Sequence, residues 1–420
     1  MKQVVIEKLG HRGEGVARDG DRRVFIPYAL PGETVAAEIN GEHGCLVEIV
    51  TPSPQRVAPI CPHYAQCGGC AVQTLAFDAY AQWKRGLVET ALRNAGLSFE
   101  IGPLIDAHGA GRRRVTFHAR MERGVARVGF MAARSHDIVE IDACPLLVGE
   151  LAGALAAARA LAQILASRGK PLDLSFTATP EGMDVDLRGP GPLEEHETRA
   201  LIAAAKTHGL ARLSNHGRLV ALRAAPWVEI GRARVPLPPG AFLQATQAGE
   251  AALANEVLAA TKDAKRVADL FCGLGAFALR IAENTRVSAY DNAAPAIDAM
   301  LAGARGAKGL RPLEGAARDL FNRPLTAMEM NEFDAVVFDP PRAGALAQAQ
   351  EIARSQVRTV VAISCSAQSF ARDAAILLKG GYLPGAVAPV DQFRFSPHVE
   401  IIAVFSRPAG QNARKKRLLG

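Results

Sequence analysis

From about residue 248 the chain alternates short apolar runs with amphipathic ones, and this rhythm restricts the fold more than any other feature. Residues 250–260 read as a helix, 266–271 as a strand, 276–283 as a helix, 286–290 as a strand and 293–303 as a helix. Such alternation predicts a doubly wound α/β domain, assigned to residues 241–410. In such a sheet, ligands sit beyond the carboxyl ends of the strands. The residues just past each strand are therefore the first candidates for chemistry.

One strand end reads Asp269-Leu270-Phe271-Cys272-Gly273-Leu274-Gly275-Ala276-Phe277, where Gly273 and Gly275 let the backbone approach a ligand. Asp291 ends the next strand, placed to bind ribose hydroxyls. The third glycine of a dinucleotide fingerprint is missing and no P-loop lysine follows, which favours S-adenosylmethionine over NAD or ATP. Asp319 follows a segment that reads as a third strand; it is a candidate for adenine recognition, with a helix cap as the structural alternative. The apolar strand 335–338 runs into Asp339-Pro340-Pro341-Arg342, where the prolines lock the turn that carries Asp339 and Arg342 can meet an anionic group. The strand 359–364 ends at Cys365, a candidate nucleophile, and His398 or Glu400 could act as a base just before the apolar run 401–405.

These groups suit one reaction in particular. Carbon 5 of uracil is too poor a nucleophile to accept a methyl group unaided. A thiolate adding to carbon 6 generates an enolate that activates carbon 5, and a base must then remove the carbon 5 proton so that the thiol can leave. One cysteine, one carboxylate and a sulfonium methyl donor suffice.

Four more cysteines stand apart from that edge. Cys61, Cys67 and Cys70 lie in the run Cys-Pro-His-Tyr-Ala-Gln-Cys-Gly-Gly-Cys, and Cys144 returns in Ile-Asp-Ala-Cys-Pro. A disulfide framework is a poor fit for 420 residues with seven cysteines and no apolar secretory start, and a cytoplasmic protein is expected. The spacing predicts metal ligation, and zinc and a 4Fe–4S cluster both accept four cysteines. Residues 1–57 alternate β-rich runs at 4–7, 24–26, 34–39 and 45–50 with turn signals, which suits a five-stranded OB-like barrel. Residues 58–240 form a central α+β segment with a helix over about 77–96, expected to pack on the catalytic domain. Lys plus Arg number 49 against 42 Asp plus Glu, a formal charge of +7 that leans toward a polyanionic partner, and residues 411–420 read as a basic tail. No run of about 18 apolar residues appears, so no membrane association is expected.

Taken together the chain resembles the iron–sulfur-containing RNA uracil-C5 methyltransferases, particularly their ribosomal-RNA branch, over about residues 1–407. Its barrel resembles a TRAM domain in Gly13-Glu14-Gly15-Val16-Ala17 and Val24-Phe25-Ile26-Pro27. The family's transfer-RNA enzymes typically lack that barrel, so the resemblance implies ribosomal RNA, most specifically 23S, as substrate. It implies that Cys61, Cys67, Cys70 and Cys144 hold a 4Fe–4S cluster. It also implies a class I methyltransferase domain in which Gln244, Phe271, Ala276, Asp291, Asp319 and Asp339 bind S-adenosyl-L-methionine, Cys365 is the nucleophile and Glu400 the base. Ala276 stands where Asn is common, Asp291 where Glu is usual, Ser366-Ala367 where Asn-Pro follows the nucleophile, and Arg394 where Pro is usual. None of these removes a group that the chemistry requires. The alternatives are the same reaction on transfer RNA, a radical methylthiotransferase, whose cysteine spacing differs, and a non-catalytic RNA-binding protein. A monomer is expected.

Overall fold

The computed structural model describes residues 1–408, and the expected basic tail lies outside the described residues. The chain gathers into two compact units. One comprises Met1–Leu87, Ala110–Ala224 and Phe393–His398; the other comprises Val88–Gly109, Ala225–Gln392 and the chain from Val399.

The first unit begins with a closed barrel in the order Lys2–Leu9, Gly15–Asp19, Arg22–Ile26, His43–Thr51, Thr34–Asn40. This is the five-stranded barrel expected from the sequence. The strand Gly15–Asp19 is the member that the apolar runs did not reveal; a Cβ at Gly15 would lie 2.8 Å from the Ala29 carbonyl oxygen, so only glycine fits. Alternate residues, among them Val4, Ile6, Val24, Ile26, Val35 and Ala37, turn inward to fill the barrel.

A seven-stranded sheet follows, ordered Arg218–Leu222, Arg212–Asn215, Gly182–Arg188, Leu172–Thr179, Arg114–Glu122, Val125–Met131, Ile138–Glu140. Phe117, Ala119, Leu174, Phe176, Val185 and Leu187 share one core with Leu155, Leu161 and Ala162 of the helix Ala154–Ile164 and Leu201 of the helix Glu195–Thr207. Period-two strands thus meet period-3.6 helices across a single apolar layer. Within this sheet the strand Val125–Met131 lies against Ile138–Glu140 closely enough that a methyl group at Gly129 would collide with the carbonyl of Val139.

The second unit is built on an eight-stranded sheet ordered Leu313–Ala317, Arg286–Asp291, Arg266–Leu270, Ala335–Phe338, Thr359–Ser364, Glu400–Ser406, Leu383–Asp391, Ile105–Asp106. The first five strands are parallel, and Glu400–Ser406 runs antiparallel between Thr359–Ser364 and Leu383–Asp391. Successive residues feed two opposite cores. Val267, Ala289, Val337 and Ile363 pack on one face, while Ala268, Leu270, Val336, Phe338 and Ala362 pack on the other. This is the doubly wound arrangement anticipated from the sequence. The helix expected over 276–283 is shorter, Ala278–Ile281, and the helix expected over 250–260 spans Gln247–Thr261.

The units divide the central segment differently from the expected 58–240. Val228, Ile230 and Val235 of the hairpin Trp227–Ile230 and Ala233–Pro236 bury with Ala296 and Met300 of the helix Ala294–Gly306, so residues 225–240 join the α/β unit. The helix Phe77–Asn94 contributes Val88 and Leu92 to the same unit's other core. Gly129→Ala is expected to destabilise the first unit by about 1–3 kcal/mol through overpacking against Val139, seen as a lower unfolding midpoint in a thermal melt. An unchanged midpoint would mean that the 125–140 hairpin yields freely.

Candidate active site and four-cysteine loop

The strand ends of the α/β unit carry the residues that the sequence singled out. After Leu270 the backbone turns sharply, with Phe271, Gly273 and Gly275 all at positive φ (61°, 52° and 84°). Gly273 faces open space, whereas a Cβ on Gly275 would fall 2.8 Å from the Met300 sulfur; the first glycine leaves room for a ligand and the second permits packing on a helix. Asp291 fastens this turn by accepting hydrogen bonds from the Gly273 amide at 2.9 Å and the Ala293 amide at 2.8 Å. Ala276 is half-buried, and its carbonyl accepts from Arg280 at 2.6 Å. Asp319 accepts from the Phe321 amide at 3.0 Å and the Asn322 side chain at 2.7 Å, which lowers its pKa and makes it the cap of a tight turn. That turn presents the partly exposed Phe321 ring, 5.4 Å from the ring of Phe271. Asp269 is fully buried. One of its oxygens accepts from Ala278 N at 2.8 Å, the other has no hydrogen-bond partner, and burial holds its pKa well above the usual carboxylate range. A positive-φ cradle, an aromatic pair and a buried carboxyl with an orphaned oxygen fit the adenosyl donor expected from the sequence.

The neighbouring strand ends form a second cluster. Asp339 is shielded at the end of Ala335–Phe338, and burial pushes its pKa up to about 7 against the opposing pull of the Gln244 amide, whose Nε2 donates to it at 2.9 Å. Cys365 is partly exposed just past Thr359–Ser364. Burial raises its pKa to about 11, the negative charges of Glu400 and Asp339 push in the same direction, and Arg342 opposes them. Glu400 opens the strand Glu400–Ser406 and is almost entirely buried. Gln392, which the sequence reading passed over, donates from its Nε2 to Glu400 at 3.1 Å and to the Gln244 carbonyl oxygen at 2.7 Å. A polar residue beside Asp391, at the end of a strand flanking the Glu400 strand, was the available signal. The other base candidate, His398, is exposed.

In the first unit, Cys61, Cys67, Cys70 and Cys144 are all free thiols of intermediate exposure. The loop is pinned to the sheet where Gly68 N donates to the Met131 carbonyl at 3.0 Å; a side chain at Gly68 would crowd the Ala133 backbone. Burial raises the pKa of Cys67, of Cys144 and of Cys70, the last to about 11; Cys67 and Cys144 each add to the rise at Cys70, while Arg112 opposes it. The Gly69 amide points at the Cys67 sulfur at 3.4 Å and Gln73 receives the Cys61 amide at 3.2 Å. The thiols therefore feel one another's charge, although among the described residues no three His, Cys, Asp or Glu side chains form a single-ion site. Just past Cys70, the amides of Ala71 and Val72 donate to the Phe395 carbonyl at 2.8 and 3.2 Å, and Tyr80 accepts from Phe395 N at 2.9 Å. The fully buried Lys84 donates to the carbonyls of Phe393 and His398.

Comparison with known proteins matches residues 2–40 to the TRAM domain. An uncharacterized RNA methyltransferase of Brucella suis is 44% identical over 406 residues, covering 96% of this chain and 98% of its own. One of Caulobacter vibrioides is 42% identical over 415 residues, covering 97% and 100%. The 23S rRNA (uracil(1939)-C(5))-methyltransferase of Vibrio vulnificus is 28% identical over 429 residues, covering 97% and 96%. Among solved structures, the Pyrococcus abyssi tRNA (uracil-54, C5)-methyltransferase in complex with S-adenosyl-L-homocysteine shares the fold, with a TM-score of 0.73 at 21% identity over 96% of this chain and 99% of that one. No helix among the described residues is long and apolar enough to cross a membrane.

The raised pKa of Asp339 has a consequence for stability. The folded protein keeps the proton up to about pH 7, whereas the unfolded chain releases it near 3.8, the ordinary value for an aspartate. Its contribution is therefore complete below the lower value and lost as pH rises through the upper one. Asp339→Asn is expected to flatten the fall in thermal midpoint of ligand-free protein between about pH 4 and 7. A slope equal to that of the wild type would show Asp339 to be ionised throughout.

Proposed function

This chain belongs to the RNA methyltransferases, and we propose that it transfers a methyl group from S-adenosyl-L-methionine to carbon 5 of a uridine in RNA. The observation that carries the reading is the strand register, which pairs Ser364 with Ile401 and so brings the half-exposed Cys365 and Glu400 to one sheet edge, with Asp339 at the end of the adjoining strand; the charges of Glu400, Asp339 and Arg342 all act on the thiol there. S-adenosyl-L-methionine, the methyl-donating substrate, supplies an electrophilic methyl; Gln244, Phe271, Ala276, Asp291, Asp319 and Asp339 are the residues proposed to hold it.

Cys365 adds through sulfur to carbon 6 of the base, after its S–H proton has been released to solvent. The raised thiol pKa means that little thiolate is present until the substrate arrives. Arg342 lowers that barrier. Addition places an enolate on the ring; carbon 5 attacks the methyl carbon of the sulfonium, whose carbon–sulfur bond breaks to release S-adenosyl-L-homocysteine, and Glu400 then accepts the carbon 5 proton. The C–H electron pair restores the 5,6 double bond and expels the Cys365 thiolate.

Ribosomal RNA, and 23S in particular, is the proposed substrate, supported by the Vibrio relative along nearly its whole length. The barrel by itself does not discriminate, since the Pyrococcus transfer-RNA enzyme matches 96% of this chain. Residues 1–57 are proposed as an RNA-binding module, in a cytoplasmic and monomeric enzyme. Cys61, Cys67, Cys70 and Cys144 are proposed to hold a 4Fe–4S cluster, supported by their mutual electrostatic reach and the resemblance given above. Bound there, the cluster would cross-link the loop to the rest of the unit, and the methyl transfer needs no redox step.

RNA containing 5-fluorouridine has no carbon 5 proton to lose and is expected to trap a covalent adduct that disappears in Cys365→Ala; persistence in that variant would assign the nucleophile elsewhere. Glu400→Gln is expected to accumulate a methylated covalent complex on ordinary RNA, and normal turnover would point to another base. Purified under anaerobic conditions, the protein is expected to carry about four iron atoms, lost in Cys144→Ser and retained in Cys272→Ser. Retention of iron in both variants would remove Cys144 from the ligand set. Mapping 5-methyluridine in ribosomal and transfer RNA of a deletion strain decides the substrate.

A further inference from the structure

The mechanism above leaves Gln392 without a task, although its side chain is completely buried against the residues that matter most. Its amide is fully committed. Nε2 donates to Glu400 Oε1 at 3.1 Å and to Gln244 Oε1 at 2.7 Å, while Oε1 accepts from the Thr246 amide at 3.4 Å. Gln244 passes its own Nε2 on to Asp339 at 2.9 Å. A flipped amide would set its oxygen against a carboxylate and its NH₂ against a backbone N–H, so the surroundings select one orientation.

The surroundings are also shaped to admit this side chain. Gly249, in the first turn of the helix Gln247–Thr261, has no Cβ, and one placed there would stand 2.8 Å from Gln392 Cβ and 2.9 Å from its Oε1. Thr246 caps that helix by accepting from Gly249 N at 2.9 Å, and its hydroxyl donates to the Ala107 carbonyl at 2.6 Å, which fixes the amide that Gln392 receives. A buried glutamine thus has a pocket cleared for it and a donor locked in front of it.

We propose that Gln392 is a positioning residue that holds Glu400 oriented and ionised for removal of the carbon 5 proton, and that joins the base through Gln244 to Asp339. The proposal rests on the uracil-C5 reading. An amide cannot itself take up the proton at neutral pH, so Gln392 acts through Glu400. A carboxylate kept out of water stays ionised only when donors favour that form, and Gln392 supplies one from a side chain that cannot swing away. The step it serves is the last one, in which the proton passes from carbon 5 to Glu400 and the Cys365 thiolate departs.

The test separates adduct formation from adduct release. Gln392→Met keeps length and volume without the donor, and Gln392→Glu keeps the size but sets a second carboxylate against Glu400. With RNA containing 5-fluorouridine, both variants are expected to form the covalent adduct within about threefold of the wild-type rate. With ordinary RNA and radiolabelled S-adenosyl-L-methionine, release is expected to slow about 10- to 100-fold, the worth of one charge-assisted hydrogen bond, so that methylated covalent complex accumulates on denaturing gels. Normal release in both variants, or equal slowing of formation and release, would overturn the positioning role. Absence of any adduct in the wild-type protein would instead sink the underlying uracil reading.

Discussion

Keeping carboxyl groups out of water at one edge of the α/β sheet is the constraint on which the rest of this site depends. Asp269 and Glu400 are buried outright and Asp339 is shielded at its strand end. Unaided, such groups take up protons and cease to be useful anions. Burial raises the pKa of Asp269 and of Asp339. Each of the three carboxyl groups meets a hydrogen-bond donor: the Ala278 amide for Asp269, the Gln244 side chain for Asp339 and the Gln392 side chain for Glu400. Because the two glutamine side chains also hydrogen-bond to each other, Asp339 and Glu400 stand at the two ends of one relay.

Much of the α/β unit was legible because short apolar runs identify strands, and strand ends in a parallel sheet identify where ligands go. Cys365 and Asp339 could be found by that logic alone, whereas Glu400, the first residue of an antiparallel strand, was chosen over His398 only through the family resemblance. The Gln392 link could not be found by either route. The strand Leu383–Asp391 was not singled out from the sequence, and which buried side chain at its end faces Glu400 is set by the register between strands. Gly249 was equally silent, since its meaning depends on a side chain far along the chain. The barrel strand Gly15–Asp19 escaped notice because its glycine and charged residues dilute the apolar signal.

The division of the chain into units was the least legible feature, for a related reason. Periodicity specifies the kind of element, whereas membership of a core depends on which surfaces meet. Residues 225–240 follow the seven-stranded sheet in sequence yet bury Val228 and Val235 beside Met300. The segment Phe393–His398 carries little hydrophobic pattern and is held mostly through its backbone, by the amides after Cys70, by Tyr80 and by Lys84. Backbone acceptors leave no trace in a residue pattern.

That six-residue excursion sets an order of events in biosynthesis. The first unit is drawn mostly from the amino-terminal half, yet the carbonyl that receives the amides of Ala71 and Val72 belongs to Phe395. During synthesis from the amino terminus, the barrel and the seven-stranded sheet can assemble early, while Lys84 and the residues after Cys70 wait for partners until nearly all of the α/β unit has been made. Neither unit is a self-sufficient cassette, and a gene cut between them would leave the amino-terminal fragment with a buried lysine that has lost two of its acceptors.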